Sequence, residues 1–338
     1  MARPAPTAQQ QLDFLVKIER LLAKGRRTTT YKFALLIALT NLAVEQGDDS
    51  GDALEISIDD IARQFLSLYW NMARPYPQLR EVLRQSTNVA RPAKMISLLI
   101  NQVHDSESSY QRLRVYRERR DTLLSEARST LAKDVLHRLQ TVGDSSKPDP
   151  ELGRFLFDRP RTASESRRLR RLKLKPGVAA CLRKLRGVVL SIAETRWAQW
   201  VRENNKSLGA DSNLEEFLFV PKRTNVSRYA KRLYLLQDGV CFYSGKMLTK
   251  SSAWEVDHFI PWARYPFDSP FNLVLVDRRI NNELRDQLKP AKWRRKWLTR
   301  NQTDFGLLTA PEPTGFGAPA EDAEAAEAIS NWIYRTTA

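Results

Sequence analysis

Cysteine is nearly missing from the chain: Cys181 and Cys241 are its two thiols in 338 residues. That excludes a disulfide scaffold and suits a reducing cytoplasm, the compartment expected for this protein. Long apolar runs are missing too. The most apolar stretch, residues 31–44 (YKFALLIALTNLAV), carries Lys32, Thr40 and Asn41, and it falls short of the ~20 apolar residues that a membrane span needs. The opening MARPAPTAQQ lacks the apolar core of a signal peptide, so export is not expected. Histidine is limited to His104, His137 and His258, which narrows any imidazole chemistry to three positions. Acid is the minority charge, 39 Asp and Glu against 55 Lys and Arg, for a net +16. A balance that basic favours polyanionic partners, nucleic acid before an anionic membrane surface.

What is present is largely helical. Residues 9–23 place Leu12, Leu15, Val16, Ile18, Leu21 and Leu22 close to a 3.6-residue period. A second helix is predicted over 31–46, with N-cap candidates among the threonines at 28–30 and a stop at Gly47. After the acidic loop QGDDSGD, residues 53–58 read as a short strand leading into a helix over 59–70. Helix, strand and helix in that order fit either a plain helical bundle or part of a winged-helix unit. Residues 106–140 read as one long charged helix or a helical hairpin. GDSSKPDPELG (143–153) reads as a linker, because turn formers and two prolines cluster there.

Beyond that linker the chain turns strongly basic. Between 159 and 186 there are eleven Lys and Arg and one acid, Glu165. An excess this one-sided cannot be neutralised by surface pairs within the stretch, and it points to phosphate contact, with Arg167, Arg168, Arg170 and Arg171 at its centre. A helix is predicted over 178–204. A Pro- and Gly-rich segment at 310–320 precedes an acidic, Ala-rich helix over 321–334, read as a packing or partner element.

Residues 238–290 carry the chemistry. The β-prone runs 240–243 and 254–258, separated by a Gly-containing turn, predict a hairpin. The second run ends in an adjacent acid and imidazole, Asp257 and His258, which a regular strand would point to opposite faces. A loop with Pro266, Asp268 and Pro270 leads to Asn272, a short apolar run at 273–276 and a polar helix over 278–288. Phosphodiester hydrolysis needs a base for water, a cation for the developing charge, and basic residues to hold the strand. Imidazole titrates near neutrality, at about 6.5 when unperturbed, so His258 can serve as the base. Asp257 offers a hard oxygen of the kind Mg²⁺ takes, and the amide of Asn281 or Asn282 a second; two suffice, because Mg²⁺ keeps several waters. His104 and His137, in helical stretches with no acid-rich partner set, read as surface residues.

V-D-H-F-I-P (256–261), then N-L-V-L-V (272–276), then N-N-E-L-R (281–285) resembles the motif of the HNH nucleases, the ββα-metal fold. The resemblance implies that His258 is the general base and Asp257 the first metal ligand. It makes Asn272 a clamp tying the loop to the hairpin and Asn281, nine positions on, the second ligand, with Asn282 as the alternative. It also implies cleavage of DNA to a 5′-phosphate with Mg²⁺ or Mn²⁺. Two departures stand out. Where many relatives carry two C-x-x-C pairs around a structural zinc, this chain has Cys241 with Ser244, and Asp277 with Ile280. One thiolate cannot build a tetrahedral zinc site, so no structural zinc is expected and Phe242, Trp254, Phe271 and Val274 are left to hold the unit by packing. Where relatives often place a Lys three past the last Asn, Leu284 stands here, with Arg285 beside it.

Charge agrees with the motif, since residues 222–300 hold seventeen Lys and Arg against seven acids. Within KPAKWRRKWLTR (289–300), Trp293 and Trp297 share a helix face and read as packing residues. Lys292, Arg294 and Arg295, together with Arg279 and Arg285, are the expected phosphate contacts there. The expected architecture is mainly α with a C-terminal α+β unit. It comprises a helical domain over 1–145, a basic linker and helix over 146–212, an HNH nuclease domain over 213–300 and a tail with an acidic helix over 301–338. The expected partner is double-stranded DNA, with a protein partner possible through the N-terminal helices and no membrane role. The expected role is restriction or phage defence. Its rivals are the cutting subunit of a multi-subunit or RNA-guided effector and a DNA-binding module with an inactive nuclease domain.

Overall fold

A helix that is apolar on every face has to lie inside a bundle rather than on its surface, and the run at 31–46 is such a segment. The structure, a computed structural model, describes residues 3–23, 28–88, 93–103, 117–136, 138–140, 149, 151–158, 160, 162–209, 213–220, 225–249, 253–310 and 316–336. His104, His137, Arg159, Arg161 and most of the charged segment expected at 106–140 fall outside these residues. The described residues gather into two compact units, those within 1–108 and 118–220 and those within 221–338.

The first unit contains α1 (Ala8–Ala23), α2 (Tyr31–Gln46), β1 (Glu55–Ser57), α3 (Ile58–Trp70), β2 (Pro75–Tyr76), β3 (Glu81–Val82) and α4 (Lys94–Val103). It continues with α5 (Arg117–Thr130), which widens into a π turn at Leu131–Val135, then α6 (Ala163–Arg168), β4 (Arg171–Lys173), α7 (Val178–Lys184), α8 (Arg186–Asn204) and α9 (Leu214–Phe219). As its composition demands, α2 buries thirteen of sixteen residues, and α3, α7 and α8 pack around it. Trp197 of α8 stacks on Phe33 at 6.2 Å and donates its indole N–H to Gln85 Oε1 at 2.8 Å. The helix stops at Gly47 as expected, where the backbone turns extended, and a Cβ there would meet the Ala43 carbonyl at 2.6 Å.

The short strand expected at 53–58 is present at 55–57 and pairs antiparallel with β4, placing buried Ile56 opposite buried Leu172. Two expectations change. The single helix expected over 178–204 is two helices, broken at Leu185. The described part of 146–212 is also core material rather than a linker. Leu152, Leu156, Phe157, Leu172 and Leu174 are buried, and the Gln140 amide ties this segment down, accepting from Leu156 N–H at 2.6 Å and donating to Phe157 O at 2.8 Å. The high positive charge of the stretch hid these apolar positions.

In the second unit a 3₁₀ turn at Val226–Tyr229 leads to α10 (Ala230–Leu236), β5 (Trp254–His258), β6 (Leu273–Asp277), α11 (Arg278–Leu284), α12 (Ala291–Thr303), α13 (Phe305–Thr309) and α14 (Glu321–Thr336). The expected hairpin partner is corrected: β5 pairs with β6, and 240–243 forms a tight turn. Gly239 and Gly245 both sit at φ 70°, which curls the chain before a ladder can form; Phe242 N–H still reaches β6, bonding to Leu275 O at 3.0 Å. Nor is 301–338 a separate tail. Ala326, Ile329 and Ile333 of α14 are buried, and Arg294 of α12 donates to Ser330 Oγ at 2.7 Å.

The last carbonyls of α2 have no partner within the helix, and Arg183 of α7 supplies one. Its guanidinium, 2 % exposed, donates to Ala43 O at 3.0 Å and Val44 O at 2.7 Å and pairs with Asp49 at 3.2 Å. Arg183→Met should lower the stability of the chain by about 2–3 kcal/mol, since it leaves charged hydrogen bonds unmade inside the core. A urea midpoint equal to wild type would refute this role.

Candidate active site

Strand geometry separates the two central side chains. Asp257 stands opposite Val274 and His258 opposite Leu273, and successive strand residues face opposite ways. Their partners are accordingly different. Asp257 Oδ2 accepts the Tyr243 hydroxyl at 2.8 Å and lies 3.5 Å from the Lys289 ammonium. His258 Nε2 lies 3.1 Å from Asp268 Oδ1, and the Trp262 ring meets the imidazole edge-on at 5.2 Å.

Burial pushes the Asp257 carboxyl above the usual carboxylate range; Lys289, Tyr243 and His258 pull it down without cancelling that effect. Lys289 is buried, donates to Arg285 O at 3.0 Å and stands 5.6 Å over the Tyr243 ring. Arg285 caps α11 at φ 40°, and this reversal of the chain turns its carbonyl toward Lys289. Tyr243 is itself pushed well above the ordinary phenol range by burial and by the Asp257 charge.

Asn272 is fully buried and all its side-chain bonds go to backbone. Its Oδ1 accepts from Ile260 N–H at 2.7 Å, and its Nδ2 donates to Ile260 O at 3.2 Å and Phe267 O at 2.9 Å. Asn281, on α11, donates through Nδ2 to Glu255 Oε2 at 2.8 Å, and Arg278 holds the other oxygen of that carboxylate at 2.7 Å. Glu255 shares a strand face with Asp257, so Asn281 comes to the Asp257 side of β5 without touching Asp257. Asn282 is exposed.

The turn at 241–245 carries one thiol. Cys241 Sγ accepts from Asp277 N–H at 3.4 Å, so this turn and the end of β6 are neighbours. Burial raises the Cys241 thiol, but the Ser244 hydroxyl and N–H, with the Asp277 and Tyr243 N–H groups, outweigh it and leave the pKa lowered. Among the described residues no three or more His, Cys, Asp or Glu gather as a metal cluster. Of the four residues expected to hold the unit by packing, Phe242, Phe271 and Val274 are buried; Trp254 instead stacks half-buried on Tyr234 at 4.6 Å.

The basic residues divide. Arg279, Arg285, Lys292 and Arg295 are exposed, as are Arg167, Arg168, Arg170 and Arg171 in the first unit. Arg294, expected among the phosphate contacts, is half-buried: it donates to Ser330 and Asn331, and its guanidinium lies 4.8 Å over the Tyr334 ring. The charge run at 289–300 does not distinguish it from Arg295, because only the position of α14 decides which one is covered. Trp297 is core, stacked on Phe259 at 4.6 Å, and Trp293 donates to Tyr243 O at 3.1 Å. The sequence reading missed Asp268, Glu255, Tyr243 and Lys289. For Asp268 a signal existed, as it is the one acid between His258 and Asn272.

Residues 241–289 match the family model of the HNH endonucleases. Residues 9–145 match a model described as a domain of unknown function, DUF8808. No curated protein and no solved structure matches the chain.

Asn272→Ala removes three buried bonds and leaves backbone groups of Ile260 and Phe267 without partners. The expected loss is about 2–4 kcal/mol in urea unfolding. A change under 0.5 kcal/mol would mean that the loop holds its shape without the amide.

Proposed function

We propose that the chain, which carries an HNH endonuclease domain at 241–289, is a metal-dependent DNA endonuclease acting at the Asp257–His258 centre. One observation supports this most directly. An acid and an imidazole leave adjacent positions of one strand with separate partners, on a loop closed by a buried Asn272 and followed by a helix bearing Asn281.

In this reading His258 takes the proton from the attacking water, and Arg279, Arg285, Lys292 and Arg295 hold the phosphodiester backbone. Asp257 and Asn281 would hold Mg²⁺ or Mn²⁺. The donors fit: both are hard oxygens, and with Nδ2 of Asn281 engaged by Glu255, its oxygen is the atom left for a cation. When bound, such an ion neutralises charge on the phosphorane and the leaving oxygen. A basic helical region joined to this domain suits restriction or phage defence in the cytoplasm, a role argued from architecture alone.

Supercoiled plasmid should be cut with Mg²⁺ or Mn²⁺ and left intact with EDTA. His258→Ala should slow cleavage by about 10²–10⁴-fold while DNA affinity stays near wild type. Elemental analysis should find no stoichiometric zinc. Full activity in the His258→Ala protein would remove the base assignment, and one tightly held zinc per chain would remove the reading of a degenerate knuckle.

The basic patch of the first unit is tested separately. Replacing Arg167, Arg168, Arg170 and Arg171 with Ala should weaken binding to all DNA sequences alike. The log–log salt slope should become shallower by up to about 0.9 for each arginine that touches a phosphate. Unchanged affinity and slope would make this patch a protein-facing or solvated surface.

A further inference from the structure

We propose that Asp268 is a positioning residue for His258, fixing its proton on Nε2 and leaving Nδ1 as the nitrogen that accepts the proton from water. The catalytic part rests on the nuclease reading above; the tautomer rests on geometry alone.

The contact is short and sheltered. Nε2 lies 3.1 Å from Asp268 Oδ1, and the two side chains are 13 % and 7 % exposed, so water competes poorly for either. A neutral imidazole carries one donor and one acceptor, whereas an ionised carboxylate only accepts. The nitrogen facing Asp268 must therefore be the N–H, and Nδ1 is the remaining lone pair. Trp262, edge-on at 5.2 Å, limits rotation of the ring away from this pairing.

The backbone around Asp268 is held from both sides by the loop clamp. Asn272 Nδ2 donates to Phe267 O at 2.9 Å, immediately before Asp268, and Asn272 N–H donates to Ser269 O at 2.7 Å, immediately after it. The same amide fastens Ile260, two residues beyond His258, through both its N–H and its C=O. One buried residue thus fixes the backbone on both sides of Asp268, by its side chain before it and its backbone N–H after it, and its side chain also fixes the backbone just beyond the imidazole. An acid required only for solubility would not be held this way in a buried loop.

The test uses the full chain labelled with ¹⁵N-histidine, in which three imidazoles must be assigned and His258→Ala identifies the relevant one. Long-range ¹H–¹⁵N correlation, at a pH that keeps the ring neutral, should show His258 protonated at Nε2. Asp268→Ala should give a mixture of tautomers and lower kcat by about ten- to a hundredfold, with KM for DNA within about twofold. A wild-type His258 protonated at Nδ1 would overturn the proposal, whatever the variant does. So would an Asp268→Ala protein with wild-type tautomer and wild-type kcat. If the wild-type chain cuts no DNA with any divalent cation, the nuclease reading fails, while the wild-type spectrum still decides whether Asp268 sets the tautomer.

Discussion

The second unit depends on one buried amide. Between His258 and Leu273, which face each other across the ladder, the chain makes a fourteen-residue excursion with no regular strand or long helix of its own. Such a loop loses considerable entropy on ordering, and its polar backbone can be buried only if it finds partners. Asn272 supplies them by bonding both polar groups of Ile260 and the carbonyl of Phe267, while its own backbone carbonyl accepts from Phe259 N–H at 2.8 Å. Leucine in that place would match the branching of the side chain and leave both polar groups of Ile260 and the Phe267 carbonyl without these bonds. Arg300 reinforces the closure from α12, donating to Phe271 O at 3.2 Å and Leu273 O at 3.1 Å; burial lowers its guanidinium to about 10.

The two-residue period of the strand then divides the labour. One face of β5 presents Glu255 and Asp257 toward α11, Tyr243 and Lys289; the other presents His258 to the loop acid. An acid and a base on the same face would neutralise each other. Separated, each meets a partner of opposite chemical character. Lys289 beside Asp257 is a buried pair whose attraction competes with the cost of desolvating both charges. The carbonyl of Arg285 and the ring of Tyr243 share in holding the ammonium, which makes its burial tolerable.

Much of this was legible in the sequence, and the failures have physical causes. The limits of α2 could be read because its composition admits one burial state and Gly47 ends it. The set Asp257, His258, Asn272 and Asn281 came from the resemblance to the HNH motif, and these residues stand at the end of β5, in the loop clamp and on α11. The strand pairing was misread because β propensity at 240–243 is real, yet two positive-φ glycines and the position of β6 decide where the ladder forms. The core role of 151–204 was missed because charge dominates its composition, while burial depends on every second or fourth residue. Glu255 and Lys289 carried no mark in a segment already crowded with charge.

The same consideration limits what net charge says about nucleic-acid binding. Of the basic residues at 289–300, Lys289, Arg294 and Arg300 spend their donors inside the fold, and Lys296 lies 4.6 Å over the Phe242 ring. A guanidinium that is neutralising helix carbonyls or loop oxygens still contributes to the long-range field, which acts across the surface. It cannot also release a counterion by touching a phosphate. The excess over 222–300 therefore bears on how strongly the unit attracts a polyanion. Contact with a phosphate would be open only to exposed cations, Arg279, Arg285, Lys292 and Arg295 among them. Attraction and contact are separate quantities, and in this unit part of the positive charge is spent on the fold, Arg300 above all on the backbone of the loop between β5 and β6.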